Sequence, residues 1–332
     1  MAQTPADPQE VLRITDLAVH FPIRRGMWQR KLGTVKAVDG VNLTVKRGET
    51  LGLVGESGCG KTTIGRTAIR LYKPTSGSVW FEGTDISGLS ERELRPVRRR
   101  MSLIFQDPSG SLDPRKSAGN IVGAPLRIHH LVHGRREYNE RVEQLFKLVG
   151  LDPSMIDRVP HEFSGGQRQR IGIARALACD PALIICDEPV SALDVSMQAQ
   201  IMNLLQDLQQ GLGGLAYIFI AHDLSVVRHV SDRVAVMYLG RIVELTDSAQ
   251  LYASPKHPYT QALLEAVPIP DPFVEETRVH SLLEGEIPSP LDPPSGCTFH
   301  PRCPYCTAAC RTNVPQLREV SEGHYVSCLL AQ

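Results

Sequence analysis

The sequence has no surplus of charge, no membrane-length apolar run and no export signal. Lys plus Arg total 36 and Asp plus Glu total 36 in 332 residues. That balance supplies no basic field of the kind that holds a polyphosphate backbone, so nucleic acid is not an expected partner. Runs such as Leu183 to Cys186 and Leu215 to Ala221 fall far short of the roughly 20 apolar residues that a membrane-crossing helix needs. The opening MAQTPADPQE has no basic stretch followed by an apolar one, which argues against a secretory signal and for a chain kept in the cytosol. Neither an internal repeat nor sustained heptads interrupt the chain, and a second phosphate loop is also absent.

Hydrophobic patterning points to an α/β protein. Val41, Leu43 and Val45 alternate with polar residues, Lys46-Arg47-Gly48 turns the chain, and Leu51 and Leu53 begin another strand. Strand-like runs recur at Ser102 to Phe105, Leu183 to Asp187, Tyr217 to Ala221 and Val234 to Tyr238, with helical patterns between them. The segment from about Asp107 to Ala178 has no convincing strand and reads as a helical subdomain. After Ala266 the composition shifts to proline without periodicity, from Pro268 to Pro294. The expected division is an N-terminal tail over 1–10, a large α/β domain over 11–266, a proline-rich linker over 267–296 and a cysteine-rich module over 297–332.

Gly55-Glu56-Ser57-Gly58-Cys59-Gly60-Lys61-Thr62, followed by Thr63, fits G-x-x-x-x-G-K-[ST] between a strand and a helix. The glycines let backbone N–H groups wrap phosphates, and the helix N-terminus adds a favourable dipole. In this pattern Lys61 reaches the β- and γ-phosphates and Thr62 holds Mg²⁺. Inside the loop, Lys61 and the helix N-terminus are placed to lower the thiol pKa of Cys59, so alkylation there is expected to block nucleotide entry. Leu183-Ile184-Ile185-Cys186-Asp187-Glu188 ends an apolar strand in two carboxylates, one for the metal (Asp187) and one to polarise the attacking water (Glu188). Ser164-Gly165-Gly166-Gln167 then opens a helix, a second anion-binding terminus that a lone phosphate loop does not require.

With that combination the chain resembles the ABC ATPases, whose two nucleotide domains dimerise head to tail and share two ATP molecules. The resemblance implies a P-loop NTPase fold, with Gln106 as the Q-loop glutamine and a further Mg²⁺ contact. It also implies a D-loop at Ser191-Ala192-Leu193-Asp194 and a switch histidine at His222. Phe21 resembles the aromatic that stacks on adenine; read by itself it is an apolar residue at a strand end. The stretch from Gln250 through His257-Pro258-Tyr259-Thr260, the proline-rich Gly285 to Pro294 and the cysteine tail extend the resemblance to ATP-binding subunits of dipeptide and oligopeptide permeases. Gly110 to Arg115 and Pro189 to Val195 look most like the second of the two ATPase paralogues in such systems. The implied partners are a paralogous ATPase, two transmembrane permease subunits and an extracytoplasmic peptide-binding protein. The implied location is the cytoplasmic face of the membrane. Transport of glutathione, an antimicrobial peptide or a metal chelate, or a soluble non-transport ATPase role, are the alternatives.

Of eight cysteines, five lie from Cys297 onward; a reducing compartment favours metal over disulfides for such a cluster. The permease resemblance selects Cys297, Cys303, Cys310 and Cys328 as ligands of a 4Fe-4S cluster, leaving Cys306 spare. A zinc tetrathiolate is the competing assignment, because Cys303 and Cys306 form a C-x2-C pair.

Overall fold

The computed structural model describes residues 9–25, 30–267 and 285–331. Most of the expected N-terminal tail, and Pro268, Pro270 and Pro272 of the linker, lie outside them. The strands are β1 (Glu10–Arg25), β2 (Arg30–Lys46), β3 (Thr50–Val54), β4 (Ser76–Phe81), β5 (Thr84–Asp85), β6 (Met101–Ile104), β7 (Leu183–Asp187), β8 (Ala216–Ile220), β9 (Arg233–Tyr238), β10 (Arg241–Asp247), β11 (Arg318–Ser321) and β12 (His324–Val326). The chain divides into two compact units, and each is described by itself.

The first unit takes residues up to Leu12, Val45–Glu49 and Phe81–Ile220. Its strands β6, β7 and β8 run parallel, with Ile104 opposite Cys186 and Asp187 opposite Ile220. Every residue of β7 and β8 is buried. Parallel strands covered on both faces require such continuous apolar runs, which is why LIICD and AYIFI lack alternation. From Asp107 to Ala178 every described element is helical. Arg135–Leu148 buries Val142, Leu145 and Phe146, spaced for one helix face. Two arginines of the Gly165–Leu177 helix satisfy carbonyls at the ends of other helices: Arg170 donates to the Val149 carbonyl and Arg175 to that of Ser111.

The second unit takes Arg13–Thr44, Thr50–Trp80 and Ala221–Gln332. Here β3 runs parallel to β9, and β9 turns back antiparallel into β10. Leu239 and Gly240 at that turn both have positive φ, the backbone that a tight hairpin demands. β10 pairs antiparallel with β12, which pairs with β11. The last two strands were not legible as strands in the sequence: Arg318–Ser321 is largely exposed and has no apolar alternation, and it is built on the edge of β12, which is itself built on β10. The same unit buries Tyr238, Tyr259 and Phe299 with ring centroids 4.7 to 5.4 Å apart.

Candidate nucleotide site

In the second unit, β3 ends at Val54 and the helix Lys61–Ala68 begins seven residues later, which leaves Gly55 to Gly60 as a loop. Two glycines are required there by both conformation and space. Gly55 has φ 148° and a Cβ would lie 2.2 Å from the Met237 carbonyl oxygen; Gly60 has φ 111° and a Cβ would lie 2.1 Å from that of Ala37. The β9–β10 turn braces the loop through Gly240, whose N–H donates to the Cys59 carbonyl at 2.9 Å. Lys61 is buried, and its ammonium donates to the carbonyls of Gly55 (2.6 Å) and Glu56 (3.0 Å). Ser57 and Gly58 are exposed, whereas Thr62 and Thr63 are half-buried on the first helical turn.

Cys59 departs from expectation. Burial pushes its thiol pKa up, and the nearby Lys61, with Nζ 3.7 Å from Sγ, offsets this only in part. Desolvation of a thiolate outweighs one neighbouring cation when that cation is already committed to two carbonyls. Phe21 is exposed and meets Tyr72 edge to face at 5.5 Å. His222 is exposed just beyond β8 and just before the short helix Leu224–Val230.

The first unit assembles the other motifs. Asp187, buried, and Glu188 sit at the end of β7. Glu188 has φ 48°, an unusual backbone for a non-glycine residue that turns the chain sharply out of the strand. Gln106, two residues past β6, donates from Nε2 to Oε2 of Glu188 at 2.8 Å. These two positions are 82 residues apart in sequence. Ser164 and Gln167 form a reciprocal cap: the Gln167 N–H donates to Ser164 Oγ, and the Ser164 N–H donates to Gln167 Oε1. A Cβ at Gly166 would meet Cε of Met197 at 1.7 Å and displace that side chain, and Gly165 faces Leu193. Asp194 caps the helix Val195–Leu212 by accepting from Met197 N–H and Ser196 Oγ, and those hydrogen bonds hold its carboxyl below the usual range.

The comparisons give this geometry a family. Residues 38–191 match the ABC transporter family model, and residues 243–310 match the C-terminal region of oligopeptide and dipeptide transporters. The oligopeptide transport ATP-binding protein AppF of Bacillus subtilis is 56% identical over 98% of this chain and 99% of its own length. OppF of Escherichia coli is 56% identical over 96% of each chain. The chain belongs to the ATP-binding subunits of ABC peptide transporters. Its fold is the P-loop α/β cassette: the ATP-binding cassette MJ0796, solved in a post-hydrolysis state bound to ADP and Pi, superposes with a TM-score of 0.63 at 29% identity over 71% of this chain and 98% of that one.

The cysteine module differs from expectation as well. Among the described residues, no group of three or more His, Cys, Asp or Glu side chains stands at metal-holding distance, so the structure does not bear out a formed metal site in the extension. It does bring four thiols within electrostatic reach. Burial, with a smaller contribution from Cys297, Cys328 and Cys310, pushes the Cys303 pKa up to about 11; that of Cys297 is raised by burial and by Cys328 and Cys310. The Leu330 N–H donates to Sγ of Cys328, and Cys310 Sγ lies 3.3 Å from the Thr307 hydroxyl. Cys306 turns to the Thr307 carbonyl instead.

Sequence reasoning missed two residues that touch the phosphate loop. Arg302 forms a two-pronged ion pair with Glu56, and the Tyr259 hydroxyl accepts from the Glu56 N–H at 2.9 Å. The local sequence around Glu56 carries no signal for partners that distant.

Proposed function

We propose that this subunit binds Mg-ATP and hydrolyses it to drive uptake of short peptides. It would work from the cytoplasmic face of the membrane with two permease subunits, an extracytoplasmic binding protein and a paralogous ATPase. No helix among the described residues is long and apolar enough to cross a membrane, so the path for substrate belongs to the permease partners. The observation that carries the catalytic reading is the contact of Gln106 with Glu188 at the end of a buried strand. In this reading Gln106 is the amide that senses the metal and nucleotide, and Glu188 is the carboxylate that polarises water.

The remaining roles follow from chemistry at each position. Gly55 to Gly60 present backbone N–H groups to the phosphates, Lys61 neutralises the β- and γ-phosphates, and Thr62 and Asp187 hold Mg²⁺ with Gln106. Ser164 to Gln167 of one copy close on the γ-phosphate held by the other, and Asp194 and His222 line the reacting end. Phe21 stacks on adenine. Transfer of the phosphoryl group needs positioning and charge stabilisation more than covalent chemistry, so each closed dimer hydrolyses only when both halves are present.

The test uses the assembled transporter. Lys61→Ala is expected to lose ATP binding. Glu188→Gln is expected to keep ATP bound while turnover falls by about 10²-fold or more. Wild-type hydrolysis by Glu188→Gln would sink the catalytic assignment, and membrane vesicles whose peptide uptake ignores both substitutions would sink the transport role.

We further assign Cys297, Cys303, Cys310 and Cys328 as the ligands of a 4Fe-4S cluster. The donor set fits, since Cys297 and Cys303 lie within electrostatic range of each other and both of Cys310 and Cys328, while Cys306 turns to the Thr307 carbonyl. The cluster would act as a structural staple for a segment with a small apolar core, and plays no part in hydrolysis. Because the Cys303 thiol is protonated at neutral pH, assembly must release protons.

A further inference from the structure

Glu56, the second residue of the phosphate loop, is held from two sides. Its carboxylate receives both guanidinium nitrogens of Arg302, at 2.8 and 3.0 Å. Its backbone N–H donates to the Tyr259 hydroxyl, and its own carbonyl accepts from Lys61. The Arg302 side chain is only 6% exposed and Glu56 22% exposed, so this pair is not a solvent-screened surface contact. Behind it, Phe299 packs against both Tyr238 and Tyr259, which also touch each other, and the guanidinium lies 5.9 Å over the Tyr238 ring. Arg302 is the residue before Cys303 and comes from the cysteine module, 246 positions after Glu56.

A carboxylate in this loop carries a cost for nucleotide binding. The phosphates bring several negative charges to the same backbone, and a nearby anion in partly desolvated surroundings repels them. Neutralising Glu56 with a planar fork removes the repulsion and also fixes where the carboxylate points, which a single ammonium cannot do. The same clamp sets the Glu56 carbonyl that holds Lys61.

The geometry points to Arg302 as a positioning residue for ATP. It acts through Glu56 to keep the phosphate loop neutral and shaped, and so ties nucleotide affinity to the cysteine module. This rests on the ATPase reading above and extends it to a residue outside the nucleotide motifs.

The experiment titrates Mg-ATP into the purified full chain and measures KM and kcat in the assembled transporter. Arg302→Gln is expected to raise the ATP dissociation constant about tenfold and KM in proportion, while kcat at saturating ATP changes less than about twofold. Adding Glu56→Gln to Arg302→Gln removes the stranded carboxylate and is expected to bring affinity back to within about threefold of wild type. A merely structural role for Arg302 predicts no such rescue. Arg302→Lys keeps the charge without the fork and should lose a few-fold in affinity; it stands in if Arg302→Gln fails to fold. Wild-type affinity in Arg302→Gln or Arg302→Lys, or a double variant no better than Arg302→Gln, overturns the inference. A wild-type chain that binds no ATP would overturn the functional reading itself and this inference with it.

Discussion

Replacing His257 by Asn should remove a large part of the protein's sensitivity to mild acid. His257 caps the helix Pro258–Glu265, with Nδ1 accepting the Tyr259 N–H at 3.1 Å, and is 1% exposed. Burial pulls its pKa down from 6.5 to about 3, against a hydrogen bond with the Ser327 backbone that favours the cation. Protonation would also remove the acceptor that the cap needs. The folded value lies below the unfolded one, so the unfolded chain binds the extra proton between the two. Stability from this group is therefore fully present above about pH 6.5 and is lost as pH falls toward 3. Integrated from pH 8 to pH 5 the loss is about 2 kcal/mol. Asn keeps a capping oxygen and does not titrate, so His257→Asn should be the less stable protein at pH 8, by about 1 to 2 kcal/mol from lost packing. The gap should close by about 2 kcal/mol at pH 5. Urea unfolding of both proteins at the two pH values measures it, and all other titrating groups, including Asp39 and Glu82 with their lowered pKa values, cancel in the difference. A gap of constant size at pH 8 and pH 5 would refute the reasoning.

Two further outcomes follow from the cysteines. Iodoacetamide should modify Cys59 slowly at pH 7 and faster as pH rises, because burial holds its thiol protonated; rapid, ATP-protected labelling at neutral pH that vanishes in Cys59→Ser would contradict this. Protein purified without oxygen should be brown, with iron and sulfide near four per chain in wild type and Cys306→Ser and little in Cys310→Ser; colourless wild type with stoichiometric zinc would replace the cluster by the tetrathiolate.

The phosphate loop was legible because its requirements are local. Gly55 and Gly60 answer to a backbone φ and a close carbonyl, and the pattern around them can be read without knowing the rest of the chain. Likewise the unbroken apolar runs of β7 and β8 announced strands of an α/β sheet, and Ser164 to Gln167 announced a helix start. Other features depended on what the chain brings back from far away. Arg318–Ser321 became a strand through pairing with β12, itself built on β10, since its own side chains give no alternation to read. Lys61 lies two positions from Cys59 in sequence and argues for a reactive thiol, yet the surrounding burial decides the opposite, because desolvation depends on every neighbour and not on one. Gln106 meeting Glu188, and Arg302 meeting Glu56, join positions 82 and 246 residues apart. Such pairs leave no periodic or spacing signature, so residue types and local order came from the sequence, and partnership came only from the folded chain.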